Sequence, residues 1–106
     1  MSDKKSDKIR NSPHFMNVMA RVAAERIRQQ QLFRDGKFTF TCASPTADEN
    51  RKLRVLAEEV GEVAEALDRI ENSKSNHRPA REHLRDELVQ VAAVACGWLE
   101  SMEGKS

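Results

Sequence analysis

The sequence predicts an all-α protein in which three main helices form a bundle completed by oligomerisation. Its composition is helical: aromatic residues make up only 5 %, tyrosine is absent, and Ala, Glu, Arg, Leu and Val are abundant. Three long segments repeat apolar residues at the spacing of an α-helix. The one β-like alternation, at residues 38–42, is too short and isolated to form a sheet, so we interpret it as a connecting loop.

Sequence signals also bound each helix. Ser12 followed by Pro13 predicts the start of the first helix, with the serine as N-cap, and Asp35-Gly36 predicts its end. Thr46 or Asp48 can cap a second helix that runs to about Glu71. The polar stretch 72–76 then breaks the pattern. A third helix is expected from about Pro79 to Met102.

The 106 residues predict one domain, at 12–106, preceded by a tail. Residues 1–11 are polar and charged without apolar periodicity, so we expect them to be disordered. Charged residues make up 33 % but cancel to a net charge of +1. No overall field therefore favours nucleic acid or an anionic membrane as a partner.

Cysteine usage and hydropathy point to the cytoplasm. Cys42 and Cys96 form neither a CxxC pair nor a disulfide framework, and we expect reduced thiols. The longest apolar stretch, Val91–Leu99, is too short to cross a bilayer, and the charged N-terminus is not followed by the apolar segment of a secretory signal.

The most informative segment is EEVGEVAE at residues 58–65, which places four carboxylates within about two helical turns. On a helical wheel, the expected core stripe of this helix comprises Leu53, Leu56, Val60, Val63 and Leu67. Glu58 and Glu65 lie opposite that stripe and are expected to face solvent. Glu59 and Glu62 lie on its flank, and their i, i+3 spacing stacks them on one side.

The third helix carries a second polar pair in an apolar setting. Its expected apolar stripe comprises Leu84, Leu88, Val91, Ala95, Trp98 and Met102. Glu87 falls at the edge of this stripe, where an ionised glutamate is uncommon, and Gln90 follows at i+3. If the two helices pack antiparallel, three carboxylates and one amide oxygen converge. These hard oxygen ligands favour Mg²⁺ or Mn²⁺ over zinc. The alternatives to a metal site are a salt-bridge network with Arg or Lys and a solvated acidic face.

At these residues the chain resembles the MazG-like all-α nucleoside triphosphate pyrophosphohydrolases. The resemblance covers about residues 50–100 and rests on two segments, LRVLAEEVGEVAEAL at 53–67 and DELVQVAAVA at 86–95. It implies an all-α NTP pyrophosphatase-like fold that binds Mg²⁺ through an ExxE pair and a later ExxD pair, and cleaves nucleoside triphosphates to a monophosphate and pyrophosphate. Glu59 and Glu62 match the first pair and Glu87 begins the second. Gln90 stands where the family usually has Asp. Its amide oxygen can still coordinate, but the site loses one negative charge.

The same chemistry suggests further roles. Glu58 or Glu59 is the candidate to orient or deprotonate the attacking water. Lys52 lies two turns before Glu59 and is a candidate phosphate contact, while Phe38 and Phe40 are candidates to stack on the base. Further cations that are phosphate candidates are Arg28, Arg34, Lys37 and Arg54.

The third helix also predicts self-association. Residues 89–99 are apolar nearly all round, and three helices in a chain of this size cannot cover them fully. We therefore expect a homodimer, while a homotetramer also fits what the resemblance implies. Two other functions stay open: a nucleotide- or metal-binding regulator that has lost turnover, suggested by Gln90, and a helical dimerisation module whose acidic cluster is only solvated.

Overall fold

The computed structural model describes residues 4–37, 41–72 and 78–103, and within these ranges it contains helices and no strand. The helices are α1 (Lys4–Arg10), α2 (Pro13–Arg34), α3 (Glu49–Asn72) and α4 (Arg78–Met102). The all-α prediction is confirmed. In the described part of the chain, no helix has the length and apolar character needed to cross a membrane.

Helix α1 occupies much of the segment for which we expected a disordered tail. It is a single short helix, stabilised within itself by an ion pair of 3.7 Å between Arg10 and Asp7. Helix α2 begins as predicted, because the Ser12 side chain accepts a hydrogen bond from the backbone N–H of Phe15. Helix formation therefore starts before the serine–proline signal.

Helix α2 ends in a Schellman motif. Gly36 has φ of 75°, and its N–H donates to the carbonyl of Phe33 while the N–H of Lys37 donates to that of Leu32. Glycine adopts this left-handed conformation without a steric penalty. The predicted end of the helix is confirmed, and the motif fixes the direction in which the chain leaves it.

Of the two residues proposed to cap α3, the structure selects Asp48. Its carboxylate accepts a hydrogen bond of 3.0 Å from the backbone N–H of Asn50. Helix α4 starts at Arg78, one residue before the predicted Pro79, and ends at Met102 as expected. The predicted break between α3 and α4 was residues 72–76; Asn72 belongs to α3, and residues 73–76 lie outside the described residues.

Helix α4 lies between α2 and α3, which do not contact each other within the described ranges. Contacts along α3 run in the opposite direction to α4: Lys52 meets Ser101, whereas Glu59 and Glu62 meet Glu87. Helices α3 and α4 are therefore antiparallel, as the site hypothesis required.

Helix α2 packs on another side of α4. Arg21 pairs with Asp86 at 3.0 Å near the start of α4, and Arg26 pairs with Glu100 near its end. The part of α2 between Arg21 and Arg26 therefore lies beside the part of α4 between Asp86 and Glu100.

The helix faces that pack differ from the predicted stripes. Leu53, Val60 and Leu67 of α3 are 53 %, 51 % and 44 % exposed, so the predicted core stripe of α3 is wrong for these three residues. Because α3 packs on α4 alone, the side turned inward carries Lys52 and Ala66, and the leucine stripe faces outward.

The packed side of α4 is lined by small residues as well. Ala93 and Gly97 are buried, while Leu88 and Met102 from the predicted stripe are 50 % and 48 % exposed. A Cβ on Gly97 would lie 3.2 Å from Nε of Arg26. These small residues therefore allow α2 and the loop before α3 to pack closely against α4 within one chain.

Candidate metal centre and adjoining cavity

Three carboxylates meet where α3 crosses α4. One oxygen from each of Glu59, Glu62 and Glu87 lies within 4.8 Å of the other two. The i, i+3 spacing places the first two on one side of α3, and the antiparallel packing brings that side to Glu87. The structure thus brings together the three glutamates in which the sequence suggested metal ligands.

The three side chains differ in their exposure to solvent. Glu87 is buried, Glu59 is half-buried and Glu62 is exposed. The Oε2 atoms of Glu59 and Glu87 are shielded from solvent and have no hydrogen-bond partner among the described residues. Buried polar atoms in folded proteins are normally paired, so two orphaned oxygens in one cluster need an explanation.

Electrostatics disfavours the ionisation of all three carboxylates together. Burial, followed by the charge of Glu62, raises the pKa of Glu59 from 4.5 to about 7. Burial also raises the pKa of Glu87, with Glu62 again contributing. Each pair of ionised carboxylates at such distances costs roughly 1–3 kcal/mol at an effective dielectric constant of 20 or more.

The chain provides little compensation for this charge. Nε2 of His83 lies 3.6 Å from Oε1 of Glu87, and it attracts the carboxylate only when the imidazole is protonated. Within residues 4–37, 41–72 and 78–103, no arginine or lysine forms an ion pair with these three glutamates. The described residues therefore do not provide the salt-bridge network that was the alternative to a metal.

A divalent cation fits this arrangement. Mg²⁺ binds oxygen at about 2.1 Å and Ca²⁺ at about 2.3–2.6 Å, so opposite ligands on such an ion lie roughly 4–5 Å apart. Three oxygens that already lie within 4.8 Å of one another need little movement to bind one ion. The donor set, all carboxylate, is the hard-oxygen type that Mg²⁺ and Mn²⁺ prefer.

A cavity of about 440 Å³ adjoins the cluster and falls within the size range of small-molecule sites, roughly 300–1,000 Å³. Glu59 lines it together with Gln90, which lies one turn after Glu87 on α4. Gln90 is half-buried. The predicted fourth ligand therefore lies in the wall of the same cavity as Glu59.

Helix α2 supplies the opposite wall of the cavity. Glu25 accepts hydrogen bonds of 2.8 and 2.7 Å from Nε and Nη2 of Arg28, and a third of 3.1 Å from the amide of Gln29. The bonds from Arg28 lower the pKa of Glu25, which is therefore ionised at neutral pH. Lys37, placed by the motif at Gly36, lines the same cavity.

The other predicted site residues lie in different places. Glu58 is exposed and does not line the cavity, so of the two candidate catalytic glutamates only Glu59 reaches it. Lys52 is fully buried, and its ammonium donates a 2.7 Å hydrogen bond to Ser101 and lies 3.4 Å from Glu49. This position does not offer the ammonium to a phosphate in the cavity. Phe38 and Phe40 lie outside the described residues.

Glu25 and Gln29 are cavity residues that sequence reasoning missed. The one available signal was the i, i+3 spacing of Glu25 and Arg28, which predicts a pair on one side of α2. Such pairs are common on solvated helices, and only the position of α2 against α4 turns this one toward the carboxylate cluster.

Comparison of the chain with protein-family models, with curated proteins and with solved structures finds no match.

Proposed function

We propose that this protein is a Mg²⁺-dependent nucleotide pyrophosphohydrolase, with Mn²⁺ as a substitute, that cleaves nucleoside triphosphates to nucleoside monophosphate and pyrophosphate. The observation that carries the proposal is the group of Glu59, Glu62 and Glu87, which has two orphaned oxygens and adjoins a cavity of suitable size. The sequence resemblance to MazG-like enzymes supports the same reading.

The chemistry follows from the residues at the cluster. Water attacks the α-phosphorus and loses a proton. The bond between the α-phosphorus and the oxygen that bridges the α- and β-phosphates breaks, and pyrophosphate leaves. A bound divalent cation would neutralise the phosphate charge and stabilise the leaving group. Glu59, Glu62 and Glu87 would hold it, with the amide oxygen of Gln90 as a further ligand. Glu59 also lines the cavity and is the candidate to orient the attacking water.

The decisive experiment is pyrophosphate release from a panel of (d)NTPs in the presence of Mg²⁺. We expect turnover with at least one nucleotide and its loss in Glu87→Gln. The matched control is Glu65→Gln, which removes the same charge from an exposed position of α3 and should keep wild-type activity. Absence of turnover for every nucleotide, or wild-type rates in Glu87→Gln, would refute the proposal.

A regulator that binds metal and nucleotide without turnover is the second candidate, and the specific observation behind it is Gln90 in the cavity wall. Titration calorimetry with Mn²⁺ and a nonhydrolysable triphosphate distinguishes the candidates. Heat of binding without pyrophosphate release would favour the regulator. No heat with either ligand would leave only a helical dimerisation module.

We also propose that the protein is a homodimer or a homotetramer. The buried apolar residues of the described chain are only Cys42, Ala66, Ala93 and Val94. Leu53, Val60 and Leu67, in contrast, form an exposed apolar stripe along α3 with a spacing of seven residues. A second copy of the chain is the simplest partner for this stripe, because twofold symmetry pairs like surfaces.

Light scattering coupled to size exclusion tests the assembly. We expect a mass of at least two chains for the wild type and a shift toward the monomer for Val60→Lys. Glu65→Lys introduces the same side chain at an exposed position of α3 outside the stripe and should leave the mass unchanged. A monomeric wild type would contradict the proposal.

A further inference from the structure

The wall of the cavity formed by α2 and the turn after it carries two cations. Arg28 comes from the middle of α2, and Lys37 comes from the turn after it. Sequence reasoning offered five cations as phosphate contacts, and Arg34, Lys52 and Arg54 are not among the residues that line the cavity. Only Arg28 and Lys37 of the five therefore lie in the cavity wall.

The geometry of Arg28 suits it to bind an anion. Its Nε and Nη2 donate to Glu25 at 2.8 and 2.7 Å, which fixes the plane of the guanidinium group. The hydrogens of Nη1 and the second hydrogen of Nη2 stay available for another acceptor. A planar fork held this way is the geometry that recognises phosphate oxygens.

Arg28 also borders a second cavity of about 410 Å³, which shares Glu25 and Gln90 with the first. The guanidinium group thus lies at the junction of the two cavities. Its side chain is 54 % exposed, so a ligand can reach it from solvent.

Lys37 provides the second positive charge. The left-handed Gly36 and the hydrogen bond from the N–H of Lys37 to Leu32 hold its backbone in place at the cavity. No acidic side chain of the described residues forms an ion pair with its ammonium group. A cation without a partner in a cavity wall is available to a ligand.

We propose that Arg28 and Lys37 form an anion-binding wall that holds the phosphate chain of the ligand against the carboxylate cluster, with Glu25 as the residue that positions Arg28. This inference rests on the proposed function for the identity of the ligand. It adds the residues that contact the ligand's charge.

The probe is inorganic tripolyphosphate, which carries the charge without a base or sugar. Calorimetry measures its binding in excess Mn²⁺, after a separate titration of Mn²⁺ alone. We expect Arg28→Gln to weaken tripolyphosphate binding about ten- to a hundredfold, the range for a charge-assisted hydrogen bond. Lys37→Gln should weaken it about three- to tenfold, since a flexible lysine acts as a point charge. Neither variant should alter the affinity for Mn²⁺ alone by more than about twofold.

Arg34→Gln is the matched control. It removes one positive charge from the exposed end of α2 outside the cavity, and tripolyphosphate binding should stay within about twofold of the wild type. Equal losses in Arg28→Gln, Lys37→Gln and Arg34→Gln would reduce the effect to net charge and overturn the proposal. Wild-type affinity in Arg28→Gln and Lys37→Gln would also overturn it.

Glu25→Gln tests the positioning role by the sign of its effect. The substitution makes the wall more positive, so electrostatics alone would strengthen tripolyphosphate binding. Loss of the fixed guanidinium plane would weaken it, and weaker binding is the result that we expect. Stronger binding would refute the positioning role of Glu25.

The two proposals fail in different ways. If the wild type does not bind Mn²⁺, the metal centre fails, and the anion-binding wall is then judged by tripolyphosphate binding without metal. If Mn²⁺ binds and tripolyphosphate does not, the wall is refuted while the metal centre stands.

Discussion

Glu59→Gln should stabilise the metal-free protein at pH 8 while it removes metal binding. The pKa of Glu59 in the folded protein is about 7, against 4.5 for an ordinary glutamate, because of burial and the charge of Glu62. At about 1.4 kcal/mol per pKa unit, ionising Glu59 in the folded state costs at most about 3.5 kcal/mol. Partial exposure reduces this to about 1–2 kcal/mol. Glutamine has nearly the same shape and no charge, so the substitution recovers this free energy.

The sign of the pH dependence follows from the direction of the shift. A carboxyl whose pKa is raised by folding stabilises the protein fully below its unfolded pKa of 4.5, and the contribution is lost as the pH rises through about 7. The wild type without metal should therefore lose stability between pH 4.5 and 7. The Gln variant should lose less over this interval, and the two proteins should converge near pH 4.

Thermal unfolding in the presence of a chelator, at fixed protein concentration, measures this difference. We expect the Tm of Glu59→Gln at pH 8 to exceed that of the wild type by roughly 4–16 °C, using 4–8 °C per kcal/mol for a domain of about this size. Glu65→Gln, exposed on the same helix, should change the free energy of unfolding by less than about 0.5 kcal/mol. Excess Mn²⁺ should raise the Tm of the wild type at pH 8 and have little effect on Glu59→Gln. The reasoning would be refuted if Glu59→Gln were less stable than the wild type at pH 8, or if Mn²⁺ raised its Tm as much as that of the wild type.

Three further substitutions test other parts of the site. Gln90→Asp restores a negative charge beside the cluster and should increase Mn²⁺ affinity several-fold and raise turnover; no change in either would place residue 90 outside the metal shell. Lys52→Met replaces a buried ammonium group with an apolar chain of similar volume and should change the free energy of unfolding by less than about 2 kcal/mol. The KM for a triphosphate should stay the same, and a tenfold rise would show that Lys52 does contact substrate. Gly36→Ala adds a Cβ that would meet no other atom within 4 Å, but it strains a backbone with φ of 75°. It should therefore lower the free energy of unfolding by about 1–2 kcal/mol, measured by thermal unfolding. It should also weaken tripolyphosphate binding through Lys37, and an unchanged Tm would contradict the strain argument.

Part of the candidate site could be predicted because it depends on one helix at a time. The i, i+3 spacing of Glu59 and Glu62 places both on one side of α3 whatever the rest of the chain does. Glu87 stands out because it is a charged residue at the edge of the apolar stripe of its helix. Antiparallel packing of two neighbouring helices was the one tertiary assumption, and it is correct for α3 and α4.

Lys52 shows where this reasoning stops. The wheel placed it on nearly the same side of α3 as Glu59, which is consistent with the structure, since both face α4. Whether that position is open to a ligand depends on what lies opposite. Near Glu59 the opposite side is a cavity, and near Lys52 it is Ser101. No local pattern in α3 distinguishes the two.

The bounds of α2 and α4 and the placement of Glu59 and Glu62 on one side of α3 were determined by the sequence alone, because caps and i, i+3 spacings involve atoms only a few residues apart. The structure selected Asp48 as the cap of α3 and brought Glu87 to the other two glutamates. The tertiary structure decided which side of each helix is buried. Helix α3 has α4 as its one long partner in the described chain, so its leucine stripe at Leu53, Val60 and Leu67 faces outward although the same stripe on a helix with two partners would be core. The tertiary structure also joined Glu25 and Arg28 to a site on two other helices. Residues so far apart in sequence meet only through packing, in which the buried Ala93 and Gly97 of α4 take part.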